Sequence, residues 1–131
     1  MKKSIVLIED DAWLADSFCA TLHAGGYDDI RTFTSAHDAM KAIDKKLPDV
    51  IIADLLLGDH TSFTLLHELQ SYKDTAQIPV IICTGAGTKE LTAARMKSYG
   101  VVALLDKAHV TPDQLLLYVA ESLDSSKKVI R

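Results

Sequence analysis

A chain of 131 residues with 48% hydrophobic and 24% charged side chains holds apolar material for one core, which sets aside both a disordered segment and a two-domain assembly. A formal net charge of −4 argues against nucleic-acid binding by this domain, because neutralising phosphates needs a clustered basic face. No apolar run approaches bilayer length, and Ile5–Ile8 is too short for a signal peptide, so the expected location is the cytoplasm, off the membrane.

In chain order, Ser4–Ile8 reads as a first strand, followed by the acidic run Glu9, Asp10 and Asp11. Gly25 and Gly26 mark the end of the helix that comes next. Ile30–Phe33 is the second strand, and Ser35-Ala-His-Asp38 opens the second helix in the manner of a capping box. Val50–Asp54, Val80–Cys83 and Val101–Leu105 are further strands, apolar without alternation, as strands covered by helices on both faces are. A helix over Thr88–Ser98, anchored only by Leu91, Ala94 and Met96, is expected to be weakly held, and Gly100 ends it. Thr111-Pro112-Asp113-Gln114 opens the last helix, whose core stripe is Leu115, Leu116, Val119, Ala120 and Leu123, leaving Leu117 and Tyr118 pointing away. Strands alternating with helices predict an α/β doubly wound parallel sheet, and 124–131 reads as a polar tail or a truncated linker.

Cys19 and Cys83 lie in apolar stretches without C-x-x-C spacing and read as packing residues. His60 and His67 lack the i, i+4 spacing of a metal pair on one helix face. In an open parallel sheet, ligands bind beyond the carboxyl ends of the strands. The polar residues at those ends are Glu9, Asp10, Asp11, Asp54, Thr84, Asp106 and Lys107. Each alone has an ordinary explanation, such as a helix cap, a turn or a solvated end. Acids, a hydroxyl and a lysine gathered at the ligand-binding edge form a set that coincidence seldom supplies.

The sequence resembles the response regulator receiver domains of bacterial two-component signalling. The resemblance is carried by I-V-L-I-E-D-D at 5–11, P-D-V-I-I-A-D at 48–54, P-V-I-I-C-T-G at 79–85 and D-K at 106–107, in order and at the family's intervals. It implies a flavodoxin-like three-layer sandwich with a five-stranded parallel sheet in order 2-1-3-4-5 and helices on both faces. It implies a signalling switch rather than an enzyme on other substrates, with Asp54 accepting a phosphoryl group from a sensor histidine kinase or phosphotransfer protein. Glu9 and Asp10 match the acidic pair that holds Mg2+, with Asp54 and the backbone carbonyl of Leu56 as further ligands. Thr84 and Lys107 match the conserved hydroxyl and lysine. Clustered carboxylates repel, so an ionised Asp54 needs a divalent cation and an ammonium beside it.

Phosphorylation is expected to draw in the loop after the fourth strand and bias the helix beyond it. The readout face is then helix four, strand five and helix five, where an output domain or a second copy would dock, with Leu117 and Tyr118 as candidate contacts. Leu104 stands where the family usually has the aromatic of its rotamer switch, and Ala108 replaces the usual proline, so a trans peptide is expected there. Residues 55–60, Leu-Leu-Leu-Gly-Asp-His, lack the common proline. Leu56 and Ala86 hold the two positions that tune phosphoryl lifetime and cannot orient water, so slow self-dephosphorylation is expected. The departures at Leu104 and Ala108 keep a second reading open, a pseudo-receiver that signals through protein contact alone. A nucleotide or flavin cradle at Thr84-Gly-Ala-Gly-Thr-Lys89 lacks the glycine spacings of known phosphate loops. A magnesium phosphatase lacks a second acid two residues after Asp54.

Overall fold

The computed structural model describes residues 2–57, 60–85 and 93–124. Strands β1 (Ser4–Ile8), β3 (Val50–Ala53) and β4 (Val80–Thr84) are buried along their whole length, which is why their sequences carry no polar alternation. Strand β2 (Asp29–Phe33) lies at one edge and β5 (Val101–Asp106) at the other. All neighbours are parallel in the order β2-β1-β3-β4-β5, the order that the family resemblance implies.

Successive strand residues point to opposite faces, and the two faces build two cores. Ile5, Leu7, Ile52 and Ile81 join Leu22 of helix α1 (Ala12–Ala24) and Leu115 and Val119 of α5 (Pro112–Leu123). Val6, Ile8, Ile51 and Ile82 face α2 (Ala36–Lys45), α3 (Phe63–Gln70) and α4 (Ala93–Ser98), meeting Ile43, Leu66 and Met96. Each such side chain contributes about 1.5–3 kcal/mol by leaving water. Strand β5 breaks the alternation: Val80 pairs with Val101 but Ile81 with Ala103, so Val102 is an extra residue that bulges the edge.

The helix starts follow their cap chemistry. Asp11 accepts the Leu14 N–H at 3.1 Å, and Ser35 accepts that of Asp38 at 3.2 Å. Thr111 and Gln114 exchange side-chain and backbone bonds of 3.1 Å, a complete capping box. At the outer edge, Arg31 of β2 donates to the carbonyls of Ala42 (3.2 Å) and Lys46 (2.9 Å) at the end of α2, and Lys46 pairs with Asp29 at 2.8 Å.

Several expectations change. The seam of α5 is Leu115, Val119 and Ser122 at i, i+4 and i+7; Ala120 falls well off it and is exposed. Tyr118 flanks that seam and packs half-buried on the core rather than pointing away, while Leu117 is 54% exposed. In α4, Met96 is buried but Ala94 is exposed, one residue being enough to leave so short a contact line. Thr88 and Leu91 lie outside the described residues. Strand β3 stops at Ala53, so Asp54 is the first residue past it, whereas β4 and β5 extend to Thr84 and Asp106, which pair.

Candidate functional site

Parallel register delivers the acids to one edge. Ile8 pairs with Ala53, so the residues that follow, Glu9 and Asp54, emerge side by side at the carboxyl ends of β1 and β3. The Asp54 N–H donates to the Ile8 carbonyl at 3.0 Å, and the Glu9 N–H to that of Phe33 at 2.9 Å. Glu9 is 2% exposed and Asp54 7%, while Asp10 stands in solvent. One carboxylate oxygen from each of the three lies within 4.8 Å of the others, an all-oxygen set suited to a small hard divalent cation.

Lys107, just past β5, reaches into this edge. Its Nζ donates to Asp54 Oδ2 at 2.6 Å and also contacts Glu9 Oε1. Burial works against the Lys107 ammonium, but the hydrogen bonds and charges of Asp54 and Glu9 outweigh it and raise its pKa. Burial likewise raises the pKa of Glu9, against the pull of Lys107 and of the Asp11 N–H, which donates to Glu9 Oε2 at 3.1 Å. The Cys83 thiol, on the strand leading to Thr84, is pushed up to about 12 by burial, which leaves it a packing group.

Thr84 is buried at the end of β4, and its carbonyl accepts the Lys107 N–H at 3.0 Å, tying the ends of β4 and β5 together. Beyond β5, Asp106 accepts the Ala108 N–H and pairs with His109 Nδ1, both at 2.9 Å; these bonds lower its pKa, that of His109 foremost. The Lys107–Ala108 peptide is trans, as expected.

The edge thus gathers Glu9, Asp10, Asp54 and Lys107, with Thr84 adjoining. Leu56 sits two residues past Asp54 in a short antiparallel ribbon, Leu56–Leu57 against His60–Thr61. Leu104 is half-buried and packs against the core on the α2, α3 and α4 side of the sheet. Leu117 and Tyr118 lie on α5. Ala86 and the segment Gly87–Lys89 fall outside the described residues. Two features were not foreseen. Lys107 pairs with Glu9 as well as Asp54, and Ser62, fully buried at the head of α3, donates its hydroxyl to the Asp54 main-chain carbonyl. A serine ahead of the helical run Phe63–Gln70 is the signal that could have singled Ser62 out, although it reads first as a cap. A third link joins α3 to α4, where the Tyr99 hydroxyl meets His67 Nε2 at 3.0 Å and Arg95 lies 4.6 Å above the Phe63 ring.

Among the described residues no helix is long and apolar enough to cross a membrane. Residues 5–120 match the response regulator receiver domain. The chain is 26% identical over 127 residues to the phosphoglycerate transport system transcriptional regulatory protein PgtA of Salmonella typhimurium, covering 97% of this chain and 29% of that protein. It is 35% identical over 88 residues to the transcriptional regulatory protein VxrB of Vibrio cholerae, covering 67% of this chain and 34% of that protein. It therefore spans about a third or less of these curated relatives. A putative response regulator from Chloroflexus aurantiacus superposes with a TM-score of 0.84 at 26% identity, covering 95% of this chain and 99% of that one. The signal receiver domain of a putative Luxo repressor protein from Vibrio parahaemolyticus gives 0.84 at 28% identity, covering 97% and 94%. Fold, strand order, acidic edge and sequence match agree: the chain belongs to the response regulator receiver domain family.

Proposed function

We propose that the chain is a phosphorylation-dependent switch in which Asp54 accepts a phosphoryl group from a sensor histidine kinase or phosphotransfer protein. The observation that supports this best is the position of the Asp54 carboxylate, nearly buried, bonded to Lys107 at 2.6 Å and within 4.8 Å of the oxygens of Glu9 and Asp10. Glu9, Asp10 and Asp54, with the Leu56 carbonyl, are the residues that would hold Mg2+. The bound ion would supply charge neutralisation of the transferring group.

An Asp54 carboxylate oxygen attacks the phosphorus in line. The new O–P bond forms as the P–N bond to the donor imidazole breaks, and the electron pair stays on that nitrogen, which takes up a proton. Lys107 holds the Asp54 carboxylate in place and can follow the developing charge on the phosphoryl oxygens; Thr84, at the adjoining strand end, offers a hydroxyl to one of them. Leu56 has no side-chain oxygen or nitrogen to orient a water, so the acyl phosphate outlives the scale of seconds.

The switched output would be read on α4, β5 and α5 by an output domain or a second copy, in the cytoplasm, with residues 3–123 as the working domain. Incubation with acetyl phosphate and Mg2+, followed by intact-mass analysis, tests the reading. The chain should gain one phosphoryl group and hold it for minutes or longer; Asp54→Asn should gain none. No labelling of the wild type at millimolar Mg2+ would leave the pseudo-receiver reading, and equal labelling of Asp54→Asn would move the acceptor elsewhere.

A further inference from the structure

Among the described residues, three helices begin with a side chain that caps them: Asp11 for α1, Ser35 for α2 and Thr111 for α5. Helix α3 begins with Ser62, a good capping residue that makes no side-chain cap bond, its backbone at φ −77°, ψ 0° rather than in the extended form of a capping serine. The hydroxyl goes backward instead, donating to the main-chain carbonyl of Asp54 from a position with no solvent exposure. The Ser62 N–H also turns back, to the Leu55 carbonyl at 2.8 Å, while the Ser62 carbonyl accepts the Leu66 N–H at 2.9 Å and starts the helix. Asp54 is therefore fastened at three points: its N–H on Ile8 at 3.0 Å, its carbonyl on Ser62 and its carboxylate on Lys107 at 2.6 Å.

A capping bond forgone at a helix head is a local loss that the fold retains. What it secures is the peptide following Asp54, whose plane sets where the Asp54 side chain leaves the backbone and how the Leu55–Leu56 turn is presented. We propose that Ser62 is a positioning residue for phosphoryl transfer: its hydroxyl, diverted from capping α3, fixes the Asp54 carbonyl and with it the aim of the acceptor carboxylate and of the adjoining main-chain oxygen of Leu56. This deepens, and rests on, the assignment of Asp54 as the acceptor.

Ser62→Ala removes one oxygen and nothing else. It should lower the maximal rate of Asp54 labelling by acetyl phosphate about tenfold with little change in the KM for the donor, and weaken Mg2+ binding severalfold when the metal alone is titrated by calorimetry. Ser62→Thr and Ser62→Val add the same bulk and differ by the hydroxyl; the threonine variant should outpace the valine variant by a similar factor. Ser35→Ala, which removes a capping hydroxyl remote from Asp54, should change stability but neither rate nor Mg2+ affinity. Thermal melts identify any variant that fails to fold. Wild-type rate and Mg2+ affinity in a folded Ser62→Ala, or equality of the threonine and valine variants, would overturn the positioning role while leaving Asp54 as acceptor. A wild type that binds Mg2+ but takes no phosphoryl group would defeat the acceptor assignment, and the Mg2+ titrations would still decide what Ser62 holds. A wild type that binds no Mg2+ would remove both.

Discussion

Lys107 sets the charge balance of the edge, since two buried carboxylates, Glu9 and Asp54, share its ammonium. Replacing it by methionine, similar in reach but uncharged, leaves those carboxylates facing each other and should cost about 3 kcal/mol at neutral pH. The cost should shrink in acid. Glu9 has a folded-state pKa above its ordinary 4.5, so the folded protein holds that proton more tightly; the stability this contributes is present below 4.5 and is lost as pH rises through the folded value. Without Lys107 that value climbs further, so protonation relieves the repulsion at milder acidity. The contribution of Lys107 has the same sign at the alkaline end of the scale: its folded pKa is raised above 10.5, so the contribution is intact below 10.5 and lost as pH rises through the folded value. Urea titrations of wild type and Lys107→Met across pH decide it: a gap between the two that stays constant from pH 8 to pH 5 would contradict the shared-ammonium account.

Among the elements, those whose boundaries rest on local chemistry were legible in the sequence. Ser35 and Thr111 cap where a serine or threonine ahead of an amphipathic run should, and Gly100 takes φ +80° at the end of α4. That backbone is strained for any side chain, and a Cβ there would stand 2.7 Å from Gln70 Nε2. Gly100→Ala should therefore lower stability by about 1–2 kcal/mol in thermal or urea unfolding; an unchanged midpoint would mean that the turn has another conformation open to it. Elements shaped by distant partners were not legible. Nothing in Val101–Asp106 announces that Val102 is a bulge, because the extra residue is measured only against β4. The apolar stripe of α5 was misjudged for a related reason: spacing alone groups Ala120 with Leu116 and Leu123, and only the packed core leaves Tyr118 half-buried and Ala120 in water.

At the level of the whole molecule, the parallel order brings chain segments far apart in sequence to one edge, which is why Glu9, Asp54 and Lys107 could be singled out as a set before their contacts were visible. Ser62 escaped because its role depends on which way a hydroxyl turns, and composition does not carry that. Leu117, 54% exposed on α5 and a candidate contact of the proposed readout face, should be free to change without cost to the fold. Leu117→Asp is expected to keep stability within about 0.5 kcal/mol of wild type while weakening any association that phosphorylation induces, measured by sedimentation of the phosphorylated chains. Equal association of the two proteins would exclude Leu117 from the contact.

The fastening of Arg31 and Lys46 at the outer strand bears on how the protein behaves when crowded. A guest chain adding itself alongside β2 would meet a guanidinium already committed to the carbonyls of Ala42 and Lys46, and an ammonium committed to Asp29. Zippering of one sheet onto the next would have to strip these charges of their partners at the rim, a toll that guards the open flank against fibril growth.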